Sequence, residues 1–193
     1  MYEFITGDIV EKTPTYIILE TGNVGYFINI SLFTYSLLPD QNPCQLFIHQ
    51  IVREDAHILF GFINKEEREV FRQLISVSGV GANTARLILS SLSPAEVQAA
   101  INEGNVPDLQ RIKGIGAKSA QRIIVDLKGK ISMAAEMDQL FPSESNTIKE
   151  ESLSALVNLG FAKKTVEKVL EQVLKGSDQI TVEELIKEAL KKL

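Results

Sequence analysis

Two glycine pairs, Gly79-Val80-Gly81 and Gly114-Ile115-Gly116, stand 35 residues apart inside stretches of chain that align with each other. Leu74 meets Leu109, Val77 meets Ile112, Val80 meets Ile115, Ala82 meets Ala117, Thr84 meets Ser119, Ala85 meets Ala120 and Ile88 meets Ile123. The correspondence runs well past the glycines, as it does in a duplicated structural unit, so both copies are expected to fold alike.

Each copy reads as helix, tight turn, helix. Apolar residues at helical spacing (Val70, Phe71, Leu74, Ile75) lead into the first glycine pair, and Ala85, Leu87, Ile88 and Leu89 leave it. Glycine accepts a positive φ, which lets the chain reverse, and its missing Cβ lets another backbone come close. The helix that follows starts with amides that have no partner in the helix, a partly positive end suited to phosphate. Candidate contacts are Gly79, Val80, Gly81, Asn83 and Thr84 in the first copy, and Gly114, Ile115, Gly116, Lys118, Ser119 and Arg122 in the second. Such a pair points to a protein that grips a nucleic-acid backbone without reading bases. A nucleotide-binding loop does not fit. Gly-Ile-Gly-Ala-Lys-Ser has Ala117 where a P-loop needs its second glycine, and no Rossmann third glycine follows either pair, so no cofactor is expected.

A net charge of −5 over 193 residues is unusual for a DNA binder until it is divided along the chain. Residues 1–64 hold 2 basic and 7 acidic groups (net −5), residues 65–131 hold 10 and 7 (net +3), and residues 132–193 hold 8 and 11 (net −3). Only the repeat region is basic, and modestly so, which leaves backbone amides, a few cations and oligomerisation to supply the attraction. With no apolar run long enough for a membrane span and no signal-peptide pattern, the chain reads as cytoplasmic. The lone Cys44 fits, since it forms neither an internal disulfide nor a zinc site. His49 and His57 lie on apolar, strand-like stretches without companion ligands and read as structural; no metal site is expected.

From residue 1 to 64 the pattern is β. Runs rich in Ile, Val, Phe and Tyr recur at Tyr2–Val10, Thr15–Glu20, Tyr26–Ser31, Gln45–Arg53 and His57–Phe62, with turn residues between them. Five short strands in so few residues suggest a small closed barrel of OB type, with Leu32–Leu38 as a helical connection. Residues 65–131 read as helical, with a capping box at Ser93-Pro94-Ala95-Glu96 opening a helix to about Glu103, and another helix starting at Asn105-Val106-Pro107. Residues 132–146 read as a flexible linker. Residues 147–193 read as three helices: one capped by Thr147 to Glu150 and broken at Leu159-Gly160-Phe161, one over Lys163–Leu174, and one capped at Thr181 and running to Leu193. So small a unit suits a binding module better than a catalytic cleft.

In that order, barrel, twin hairpins, linker and helical tail resemble the RuvA family over the whole chain. The most specific stretches are Gly7-Asp8-Ile9-Val10, Val24-Gly25-Tyr26, Val52-Arg53-Glu54-Asp55-Ala56 with Leu59-Phe60-Gly61-Phe62, and the two glycine pairs, the second continuing to Val125-Asp126-Leu127-Lys128. The resemblance implies a multidomain α+β fold: OB-fold barrel at 1–64, tandem helix-hairpin-helix domain at 65–131, linker at 132–146, and a three-helix UBA-like domain at 147–193. It implies no catalytic site, and a homotetramer, or two tetramers face to face, that holds four-way Holliday junction DNA open in recombination and repair. The RuvB ATPase ring would drive branch migration, with the RuvC resolvase as a further partner. Glu54 and Asp55, which alone read as solvated turn residues, would be an acidic pin repelling phosphates at the crossover. Leu159, Gly160 and Phe161 would lie in the surface that holds the motor. One departure stands out. Ala82-Asn83 occupies a place where many relatives carry a cation, leaving Arg86 as the nearest replacement.

Two other function classes remain to be weighed. Helix-hairpin-helix units also occur in DNA-repair enzymes and nuclease subunits, which need a catalytic Asp or Lys beside a base pocket or clustered carboxylates; here Asp126 is the one acid soon after the second hairpin, with no aromatic pocket evident. A general single-strand binder would use the barrel, but residues 1–64 are acidic and lack tryptophan.

Overall fold

The computed structural model describes residues 2–39, 42–128, 144–174 and 180–193. Alternation of apolar and polar residues builds β1 (Phe4–Lys12), β2 (Tyr16–Thr21), β3 (Val24–Asn29), β4 (Cys44–Val52) and β5 (His57–Phe62), with α1 (Leu32–Leu37) between β3 and β4. They close in the order β1-β2-β3-β5-β4, β4 pairing back to β1. Every pair is antiparallel except β3 with β5. This is the expected OB-type barrel. Ile17, Leu19, Ile28, Leu46 and Ile48 fill it and are fully buried. A Cβ on Gly61 would sit 2.5 Å from Ile28 Cγ2, so glycine there is what lets β5 lie against the packed interior. The first strand lies two residues later than the sequence suggests, because a bulge between Ile9 and Glu11 carries the β1–β2 ladder on to Lys12 opposite Ile17.

Five helices follow: α2 (Lys65–Ser76), α3 (Ala82–Ser91), α4 (Pro94–Glu103), α5 (Val106–Gln110) and α6 (Ala117–Leu127). The caps are those the sequence signals. The Ser93–Glu96 capping box is complete, and Asn105 accepts from the Asp108 amide. Barrel and hairpins belong to one compact unit, Met1–Met133. Phe60 and Phe62 of β5 pack on Phe71 of α2, with ring centroids 5.1 and 4.9 Å away, and join a core that runs through both glycine turns.

Buried polar contacts fasten α2 to the barrel. Ser31 and Thr34 both donate to the Glu67 carboxylate, while Arg68 donates to the Glu3 carbonyl (2.9 Å) and pairs with its carboxylate (2.5 Å). Burial pushes the Glu67 carboxyl above its usual range, against the opposing pull of the two hydroxyls.

The second unit, Ala134–Leu193, is described by itself. It holds α7 (Glu144–Asn158), α8 (Lys163–Leu174) and α9 (Val182–Leu190) around buried Leu156, Val166, Leu170, Leu185 and Ala189. Helix α7 starts three residues before the expected Thr147 cap, inside the stretch expected as linker; a polar composition suits a first helical turn as well as a loop. The rest of that expected linker, 132–143, lies outside the described residues. Gly160 ends α7 at φ +101°, its amide bonding Val157 O (2.9 Å) and that of Phe161 bonding Leu156 O (3.2 Å), a Schellman closure. The Thr181–Glu184 capping box opens α9, which stops at Leu190 rather than Leu193.

Candidate nucleic-acid interface

The two glycine turns are near copies in backbone. Gly79 and Gly114 take φ of +90° and +89°, the left-handed region that an L side chain enters only with strain. One residue on, the Val80 amide bonds Val77 O at 3.0 Å and the Ile115 amide bonds Ile112 O at 3.1 Å. Val77, Val80, Ile112 and Ile115 are all buried, so their side chains anchor the turns from beneath. Val80 and Ile115, expected as contacts, therefore present no side chain to a ligand, and their amides are already used.

Gly81 and Gly116 cap the next helices at φ/ψ of −84°/167° and −82°/168°, an extended conformation open to any residue. A Cβ there would meet nothing within 4 Å. Neither backbone strain nor internal packing calls for glycine at these caps, and Ser, Asp or Asn caps a helix better. What glycine adds is an unobstructed approach from outside to the first-turn amides, at Ala82, Asn83 and Thr84 in α3 and at Ala117, Lys118 and Ser119 in α6. No side chain caps either helix.

The structure also brings the hairpins together. Ser78 and Gly79 of the first turn line one groove of about 340 Å³ with Lys118, Ser119, Gln121 and Arg122 of the second. Arg122 Nη1 donates to Ser78 O at 3.3 Å, and Lys118 is exposed. Gly81, Asn83 and Thr84 face a different groove, shared with the barrel.

Arg86 does not serve the first hairpin as a phosphate contact. Its Nη1 donates to Thr15 O and Asn29 Oδ1, both at 3.0 Å, which fixes α3 to the barrel; burial lowers its pKa. His57 is not a core residue either. It is exposed at the start of β5 and lines the barrel-side groove with Arg53, whereas His49 packs edge-on against Phe71 at 5.4 Å and burial lowers its pKa. The strand pattern marked His57 as the first residue of a run, the position where burial is least assured. Ser78 and Gln121 were also missed, since neither carries a signal outside its spatial context.

Glu54 and Asp55 are exposed at the tip of the β4–β5 turn, closed by the Arg53 amide on Ala56 O at 2.8 Å. In the C-terminal unit Leu159 is 64% exposed, while Phe161 is half-buried against the helical core. Among the described residues no three His, Cys, Asp or Glu cluster as metal ligands would, and no helix is long and apolar enough to cross a membrane.

A closed five-stranded barrel fused to a tandem helix-hairpin-helix domain, followed along the chain by a separate helical unit, defines a class of DNA-binding accessory subunit. Residues 1–61 match the family described as RuvA N terminal domain, residues 71–129 the SAM-like helix-hairpin-helix tandem, and residues 147–193 the RuvA C-terminal domain. The chain is 52% identical over 193 residues to a protein of Christiangramia forsetii and 50% identical over 193 residues to one of Flavobacterium psychrophilum, in each case over the full length of both. A Bacteroides fragilis protein is 46% identical over 201 residues, again end to end. All three are named Holliday junction branch migration complex subunit RuvA. The chain belongs to the RuvA family.

Proposed function

We propose that this protein binds four-way Holliday junctions by their shape and brings a RuvB-type ATPase to them, without catalysing a step itself, in cytoplasmic recombination and repair. The observation that carries the reading is the doubled cradle: two helix starts with uncapped amides, each guarded by a glycine that the fold does not require, with Lys118 and Arg122 beside the turn of the other hairpin. Amides and lysines aimed at phosphates position DNA but carry no base code. Glu54 and Asp55 act at the crossover, where four copies of an exposed acidic turn would repel phosphates.

Division of labour follows the expected segments, 1–64 for assembly, 65–131 for DNA, 132–146 as linker and 147–193 for the motor. Exposed apolar side chains on the barrel, among them Phe4, Val10, Val24 and Leu37, support a homotetramer, which two tetramers on DNA would double. Leu159, with Gly160 and Phe161 beside it, supports the docking of the motor, and RuvC would reach the open face of a single tetramer. A chain truncated after Leu140 is expected to assemble and bind junctions in native gels but not to stimulate an ATPase-coupled branch-migration assay. Full stimulation by the truncated chain would contradict the assignment.

A further inference from the structure

Duplication gave α3 and α6 the same helix faces, and one of those faces has diverged in use. Arg86 and Ser90 lie one turn apart on α3, just past the amides of Ala82, Asn83 and Thr84, and both reach the elements around them in the first 64 residues. Arg86 Nη1 donates to Thr15 O and to Asn29 Oδ1, each at 3.0 Å. Asn29 in turn donates to Leu59 O at 3.2 Å, across the parallel seam between β3 and β5, and Thr15 O also accepts from the Ile30 amide at 3.1 Å. The guanidinium is thus held by groups that the barrel itself fixes. Ser90 Oγ donates to Arg86 O at 2.8 Å and accepts from the Leu32 amide, at the start of α1, at 3.1 Å. Shifted by 35 residues, these two positions are Gln121 and Val125, both exposed, Val125 at 75%. The duplicated face is docked in the first copy and bare in the second.

A link of this kind decides direction. The apolar core shared by barrel and hairpins holds them together, but apolar contact has no preferred angle, whereas hydrogen bonds from a guanidinium do. Arg86 follows Asn83 by three residues, less than one helical turn, so a rotation or slide of α3 on the barrel carries the uncapped amides with it. A straight duplex asks only for the hairpins. A four-way junction asks for more, because the acidic turn of the barrel must stand at the crossover while the helix starts follow the arms, and both are met at once only at one angle between barrel and hairpin. We propose that Arg86 is a positioning residue for junction recognition: by splinting α3 to Thr15 and Asn29, it sets the angle of the first amide cradle and with it the preference for a junction over a duplex. A cradle held at its bound angle before DNA arrives loses less freedom on binding. The proposal rests on the reading of the protein as shape-specific, with the hairpins as DNA-backbone seats.

The test titrates the full chain by fluorescence anisotropy against a labelled four-way junction and a labelled duplex of the same arm length, each over a sodium chloride series. Arg86→Met keeps the apolar stem of the side chain and removes its donors. It is expected to weaken junction binding by about tenfold, the scale of losing hydrogen bonds from a charged group, and to leave duplex binding unchanged. The slope of log affinity against log salt should match the parent on both DNAs, because no phosphate contact is lost. Arg86→Lys, which keeps a donor within reach of Thr15 O, should recover part of the junction affinity. Melting temperatures confirm folding, and if Arg86→Met does not fold, Ser90→Ala, which removes the tie to Leu32, should show the same selective loss to a lesser degree. A flatter slope for Arg86→Met would make Arg86 a phosphate contact and overturn the proposal. Equal losses on junction and duplex would make it a structural link alone, and no loss on either would leave it without a part in binding; both outcomes overturn the proposal as well. Lys118→Ala runs alongside as the hairpin control: if it leaves the slope unchanged, or if the parent does not prefer the junction, the reading of the hairpins fails and the proposal falls with it.

Discussion

The first hairpin is tied to the barrel by side-chain hydrogen bonds, whereas the second is tied to the first, through a shared core and Arg122 on Ser78 O. Around the first, Glu67 takes two hydroxyl hydrogen bonds, Arg68 holds Glu3, and Arg86 holds Thr15 and Asn29. Around the second, Lys118 and Arg122 stand exposed on α6. Duplication kept the backbone to within a degree or two at the paired glycines, while the charges diverged: Arg86 of the first copy holds the barrel, whereas in the second Lys118 is exposed and Arg122 reaches across to Ser78 O of the first hairpin. Backbone geometry and electrostatics therefore vary independently in such a unit, and a match between glycines says nothing about which copy holds harder.

The comparison breaks most sharply at the caps. Gly116→Val should lower junction affinity by about 2 kcal/mol or more, the scale of losing a charge-assisted contact, and Gly81→Val by less, because only the second seat combines amides with a cation of its own hairpin. Both variants should melt close to the parent, since the φ/ψ values are open and no internal atom lies within 4 Å. Equal losses in a competition titration would show that the hairpins carry equal weight.

Next in size is the acidic turn, which belongs to neither hairpin. Replacing Glu54 by Gln and Asp55 by Asn should raise affinity for plain duplex relative to the junction by roughly 1 kcal/mol, the scale of modest charge repulsion near a surface. An unchanged preference in paired binding curves would leave the two acids as solvated turn residues.

The smallest effect concerns the anchor. The folded pKa of Glu67 is raised, so its contribution to stability is complete below the unfolded carboxyl pKa and is lost as pH rises through the folded value. Glu67→Gln should therefore gain on the parent in melting temperature as pH goes from 4 to 8. A gap that stays constant with pH would mean that folding does not raise the Glu67 pKa.

Much of this was legible in the sequence, and the limits are physical. The hairpins were readable because a positive φ at Gly79 and Gly114 is a local demand that only glycine meets freely. The barrel was readable because alternation shows which residues fill it. The part played by Arg86 was not legible because its partners, Thr15 and Asn29, lie more than fifty residues away and carry no motif. His57 was taken as structural from its place in an apolar run, although the first residue of a strand can face solvent, and the groove it shares with Asn83 arises only when the barrel closes. The early start of α7 was hidden by polar residues that serve a first helical turn as readily as a loop.

The two hairpins offer the same amide cradle but different charge. The most direct measurement is the salt dependence of junction affinity for Lys118→Ala and for Asn83→Ala, at the paired positions of the duplicated unit. The slope should fall by about one per engaged subunit for Lys118→Ala and stay unchanged for Asn83→Ala. Identical slopes for the two variants would contradict it.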